Sequence, residues 1–197
     1  MKQITLSFLI AAAFAVCAQP APVPALAVIP ANGNVAGAPG TAVGWGFNLT
    51  YSAPSDWVVL TGSEFTGSPV YGTYVDYLSL LNAPLYVAGP SPESSTVQEA
   101  WNPSSNPRLG LGEFDINSTA AIGAHITGDI VVHYSVFSQD PNDPNFDPDT
   151  STVVADATLT EPAQVNVSPE PGSLFMMSTA LLPFAFAGWR RRKAKQP

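Results

Sequence analysis

Basic side chains are nearly missing from the middle of this sequence. After Lys2 there is no Lys or Arg until Arg108, and the next is Arg190. Binding phosphate needs clustered cations on the folded part, so no nucleic-acid partner is expected. Cysteine is almost absent as well, since Cys17 is the only one in 197 residues. A disulfide scaffold is excluded, and so is a zinc site built on several cysteines. Charged residues make up only 11% of the chain, against roughly 25% in an ordinary soluble domain. No sustained helical period runs between Pro20 and Pro171, and there is no internal repeat. The chain also lacks a Gly-x-Ser-x-Gly elbow, a His-Glu-x-x-His zinc motif and a phosphate-binding glycine loop. It is therefore read as a non-enzymatic protein of one domain plus tails.

What is present is unevenly placed. All 15 acids lie between Asp56 and Glu170, while both ends are basic and apolar. Lys2 precedes an apolar run from Ile4 to Val16, the length of a signal-peptide core and too short for a confident transmembrane span. Residues 1–18 are expected to be a signal helix, cleaved after Ala18. A second small-x-small site, Ala25-Leu26-Ala27, follows further on. Cys17 as a lipid acceptor is the competing reading, disfavoured by the bulky Val16 before it.

At the other end, Gly172 to Trp189 carries no charge. As a helix rising 1.5 Å per residue it would span about 27 Å, enough for one thin-bilayer crossing. Pro183 is tolerable in such a helix, and Trp189 stands where an interfacial aromatic belongs. Arg190, Arg191, Arg192, Lys193 and Lys195 hold that end in the cytoplasm by the positive-inside rule. The acidic block is then outside.

Pro169-Glu170-Pro171 stands just before this span. A Pro-Glu-Pro tripeptide, one apolar span and an Arg-rich end, in that order over residues 168–195, resemble the PEP-CTERM sorting signal of Gram-negative bacteria. The resemblance implies recognition of Pro169, Glu170 and Pro171 by an exosortase-like membrane protease. It also implies removal of the apolar tail, with Arg190, Arg191 and Arg192 as the cytoplasmic stop. The product would be exported to the cell surface or an extracellular matrix, with exopolysaccharide as a partner. A plain C-terminal membrane anchor is the simpler alternative.

Between the tails the apolar pattern has a period of two. Residues 19–40, rich in Pro, Ala and Gly, are expected to be an extended linker. Residues 41–167 are expected to form an all-β domain, an antiparallel β-sandwich of Ig-like kind, with a barrel as the alternative. Val43, Trp45, Phe47, Leu49 and Tyr51 share one strand face; Ile126, Ile130, Val132, Tyr134 and Val136 share another. Shorter strands are predicted over Trp57–Thr61, Thr73–Ser79, Leu85–Ala88 and Leu109–Phe114. Thr152–Thr160 and Ala163–Val167 are predicted as two further strands, and Ser95–Trp101 as one helical turn.

Site-like features are few. His125 and His133 are the only histidines, and alternation keeps His133 from forming a dyad with Tyr134. Glu113 and Asp115 lie on one side of a strand and are expected as solvated carboxylates rather than a hydrolytic pair. The segment from Asp140 to Asp149 gathers Asp140, Asp143, Asp147 and Asp149 with two Asn. Calcium wants 6–8 oxygen ligands, and such a loop offers them. Asp-Pro and Asn-Pro are also ordinary turn formers, and the EF-hand order is missing. Trp45, Trp57, Tyr71, Tyr74, Tyr77 and Trp101 are either core or a sugar-stacking platform. A calcium-assisted carbohydrate-binding or adhesion module is thus the alternative to a structural surface protein. No other cofactor is expected. Asn48, Asn117 and Asn166 begin N-glycosylation patterns, usually silent in a bacterium.

Overall fold

A computed structural model describes residues 22–91 and 95–169. The strands are β1 (Ala25–Ile29), β2 (Asn34–Gly37), β3 (Ala42–Tyr51), β4 (Trp57–Phe65), β5 (Gly72–Asp76), β6 (Val87–Ala88), β7 (Ser95–Glu99), β8 (Gly112–Ile116), β9 (His125–Phe137) and β10 (Thr152–Val167). A single 3-10 turn, Pro69–Tyr71, precedes β5, and one helical turn, α1 (Pro148–Ser151), precedes β10. One sheet runs β1-β3-β8-β5, with β7 also paired to β3; the other runs β2-β10-β9-β4-β6. Pairings are antiparallel except β2 with β10.

The sheets pack face to face because alternation supplies each with one apolar side. Val43, Trp45, Phe47, Leu49 and Tyr51 of β3 are buried, as are Ile126, Ile130, Val132, Tyr134 and Val136 of β9. Trp45 meets Phe65 of the opposite sheet with ring centroids 5.2 Å apart. Phe65 in turn meets Phe114 edge-on at 5.6 Å. Each large side chain so buried contributes about 1.5–3 kcal/mol before the entropy of ordering is counted.

Three expectations change. Residues 25–37 are not linker, for they carry β1 and β2. Leu26 and Val28 of β1 are buried against β3, with Val28 opposite Phe47. Alanines and prolines hid a strand whose inward positions are apolar. Ser95–Glu99 is strand β7 rather than a helical turn, because Thr96, Val97 and Gln98 pair with Thr50, Leu49 and Asn48 of β3 respectively. The two strands predicted over residues 152–167 are one continuous strand. A bulge at Asp156, whose φ is 47°, re-aims it. Pro162 is tolerated inside it because it faces Asp129. The Asp129 N–H and carbonyl both bond Thr66 on the β4 side, so no ladder bond is needed from Pro162.

The outer face of the first sheet is also covered. Gly44 and Gly46 point outward from β3 with no side chain because the segment after β7 lies there. A Cβ on Gly44 would collide with the Trp101 indole, and one on Gly46 with the Glu99 carbonyl. This covering segment returns through the pair Asn102–Leu109 to enter β8.

Candidate functional site

The chain around β5 and β8 holds the most concentrated side-chain chemistry among the described residues. β8 places Glu113 on the outer face of the first sheet, opposite Gly44 of β3 and Val75 of β5. Contrary to expectation it is not a solvated carboxylate but is 5% exposed. The Tyr77 hydroxyl donates to its Oε2 at 2.5 Å, and Arg108 Nη1 donates to its Oε1 at 2.7 Å. The Arg108 guanidinium also stands 5.4 Å from the Tyr77 ring centroid, within cation–π range. Both carboxylate oxygens are thereby satisfied, which a buried charge requires. Burial, then the bond to Glu113, push the Tyr77 hydroxyl up to about 12.

A second knot adjoins the first and ties the sheets together. Ser63 of β4 is buried, with its Oγ 2.6 Å from Asp76 Oδ1, 2.7 Å from the Leu111 carbonyl and 2.9 Å from the Tyr74 hydroxyl. Asp76 also accepts the Leu78 N–H at 2.8 Å, which turns the chain out of β5. Burial raises the Tyr74 hydroxyl well above its ordinary range. Beyond this turn, Tyr77, Leu80, Leu81, Asn82, Asn106 and Arg108 line a cleft of about 130 Å³. Both oxygens of Glu113 are bonded, so the arrangement locks the covering segment, and a small cleft of mixed polar and apolar lining lies beside it.

The other candidates fall apart spatially. Asp140, Asp143 and Asp147 each accept a backbone N–H two residues on, from Asn142, Asn145 and Asp149 respectively. These are three separate turns, and Asp147 caps α1. Phe146 pins the loop by meeting Phe137 edge-on at 5.0 Å. Among the described residues no three His, Cys, Asp or Glu side chains converge as a metal site. His125 bonds Asn166, and His133 bonds Asp156 at 2.9 Å; they sit eight positions apart on β9. The aromatics form no single platform. Trp45 and Tyr77 are buried, Trp101 covers the first sheet, and Trp57 lies opposite Phe137 on the second. Asp115 is exposed while Glu113 is buried, so they are not a pair.

Pro169 is exposed directly after β10, and the Ser168 N–H donates to the Gly37 carbonyl. Glu170, Pro171, Arg190, Arg191, Arg192, the expected signal helix with Cys17 and the expected transmembrane helix lie outside the described residues. Among the described residues no helix is long and apolar enough to cross a membrane.

The Tyr77–Glu113–Arg108 knot was not foreseen. Its one signal in the sequence was Arg108, a solitary cation five residues before an acid on a strand.

Comparison with known proteins adds little. No family model matches the chain, and no curated relative is found. Among solved structures it is similar to the sixth cohesin of scaffoldin B from Acetivibrio cellulolyticus, crystallised with a Cel5 dockerin variant. The identity is 16%, the match covers 76% of this chain and 100% of that one, and the TM-score is 0.26.

Proposed function

We propose that this protein is an exported, non-enzymatic β-sandwich of Ig-like kind, displayed at the cell surface or in an extracellular matrix after processing by an exosortase-like protease. The observation that carries the reading lies just after β10. Among the described residues the Ser168 N–H bonds the Gly37 carbonyl, and the next residue, Pro169, is exposed. In this reading the Pro169-Glu170-Pro171 element follows β10 directly, and its first residue is exposed.

The start of the fold supports the same layout. Cleavage after Ala27 would cut β1 in half, whereas cleavage after Ala18 leaves it whole. In this reading Pro169, Glu170 and Pro171 are recognised, the following apolar span anchors the precursor, and Arg190, Arg191 and Arg192 stop it at the cytoplasmic face. The test replaces Pro169, Glu170 and Pro171 with alanine and follows the mass of the surface form. A shift to an unprocessed, membrane-held precursor is expected; an unchanged surface mass overturns the sorting role.

A further inference from the structure

We propose that Asn117 is a glycan attachment site, whose side-chain amide takes an oligosaccharide from a polyprenyl-pyrophosphate carrier. Asn48, Asn117 and Asn166 each begin an Asn-x-Ser/Thr pattern, and the pattern alone does not choose between them. The fold does. Asn48 lies inside β3, opposite Ala27 of β1 on one side and Gln98 of β7 on the other, and its Oδ1 is buried. Asn166 lies inside β10, opposite His125 of β9 and Ala36 of β2. Its side chain bonds His125, Gln164 and the Val35 carbonyl. An enzyme would have to open a sheet to reach either.

Asn117 instead follows β8 onto the surface. Asn117, Ser118 and Thr119 are all exposed, and the Ala120 N–H donates to the Asn117 carbonyl at 3.0 Å, closing a turn. Exposed turns are where a folded chain is open to modifying enzymes. The Asn117 amide donates to the Val70 carbonyl at 3.0 Å in an exposed bond, one that water or an enzyme can replace at small cost.

Charge singles out the same site. Asp115 stands exposed two residues before Asn117, whereas Gly46 and Gln164 hold that place before Asn48 and Asn166. The Asn117 N–H bonds the Tyr71 carbonyl, which continues the β8 ladder by one residue. Residues two apart on such a chain share a side, so a basic groove can hold the Asp115 carboxylate beside the acceptor. In the transfer the Asn117 nitrogen bonds the anomeric carbon, and the bond from that carbon to the pyrophosphate oxygen breaks. The lipid pyrophosphate leaves with the electron pair, the amide loses one proton to solvent, and nothing is oxidised or reduced. The proposal rests on the export proposed above, because Asn117 must meet the carrier outside the cytoplasm.

The test incubates the full-length protein, in a mild non-ionic detergent, with a single-subunit bacterial oligosaccharyltransferase and its lipid-linked oligosaccharide. Mass spectrometry of chymotryptic peptides should place the glycan on the peptide holding Asn117 and not on those holding Asn48 or Asn166. Asn117→Gln should abolish it, and Asp115→Ala should lower occupancy about tenfold, the scale of one lost charged contact. Both residues are exposed, so neither change disturbs the core. An unmodified Asn117 overturns the proposal, as does a glycan equally abundant on Asn48 or Asn166. Full occupancy in Asp115→Ala overturns the charge argument. This assay needs no export. In the producing cell, a mature chain starting at Gln19 should carry the same mass on Asn117. A bare Asn117 on that chain overturns the proposal, whereas a chain still holding residues 1–18 overturns the export reading instead.

Discussion

Two acidic regions of this domain behave in opposite ways. The Asp140–Asp149 loop holds four carboxylates within ten positions, and Asp140, Asp143 and Asp147 each serve their own turn. Glu113 is a single carboxylate among glycines and apolar residues, yet it joins Tyr77 and Arg108 across segments 36 and 5 residues away. Charge density along the chain is therefore a poor guide to which acid matters. Surface carboxylates keep their water and interact weakly, while a buried one must be fully bonded and so organises what lies around it.

Mutations at the two regions should separate them sharply. Glu113→Ala leaves the buried Tyr77 hydroxyl and half-exposed Arg108 without their acceptor, and should cost about 2–3 kcal/mol in denaturant unfolding. A loss below about 0.5 kcal/mol would place Glu113 in the same class as the loop acids. Gly44→Ala probes the same lock from the other side. Its methyl collides with the Trp101 indole, so a loss of about 1–3 kcal/mol is expected, with Trp101 fluorescence shifting as the covering segment lifts.

Tyr77→Phe should cost about 1 kcal/mol at neutral pH, the worth of one hydrogen bond. It carries a further signature in alkali. The unfolded tyrosine loses its proton near 10, the folded one near about 12. Between those values the unfolded chain binds fewer protons, so stability falls as pH rises through that window. Urea midpoints measured across it should fall less steeply for Tyr77→Phe than for the wild type.

The smallest effects belong to the loop. Asp143→Ala should change stability by no more than about 0.5 kcal/mol, since its partner is a local, exposed N–H. Millimolar calcium should leave the thermal midpoint of the wild-type protein unmoved, because Asp140, Asp143 and Asp147 each bond within a turn of their own. A calcium-dependent rise of several degrees would overturn the contrast and restore the loop as a site.

Most of the sandwich was legible in the sequence because alternation is a local property. Val43 to Tyr51 and Ile126 to Val136 declare a buried face by their own spacing, whatever they pack against. β1 and β7 escaped notice for the converse reason. Ala25–Ile29 is short and flanked by Pro, and Ser95–Glu99 is mostly polar; only pairing with β3 makes either a strand. β-propensity of such short segments is set by neighbours rather than by the segment itself.

The sequence alone determined the acidic surplus, the scarcity of cations and thiols, the two apolar ends and the inward faces of the long strands. Each follows from residue identity and spacing. Tertiary structure decided that Glu113 is buried while Asp115 beside Phe114 is not. It also decided that Trp101 fills the space left by Gly44, and that Leu80 and Leu81 stand exposed beside a cleft. These are statements about segments far apart in the chain, and no local pattern encodes which of them meet.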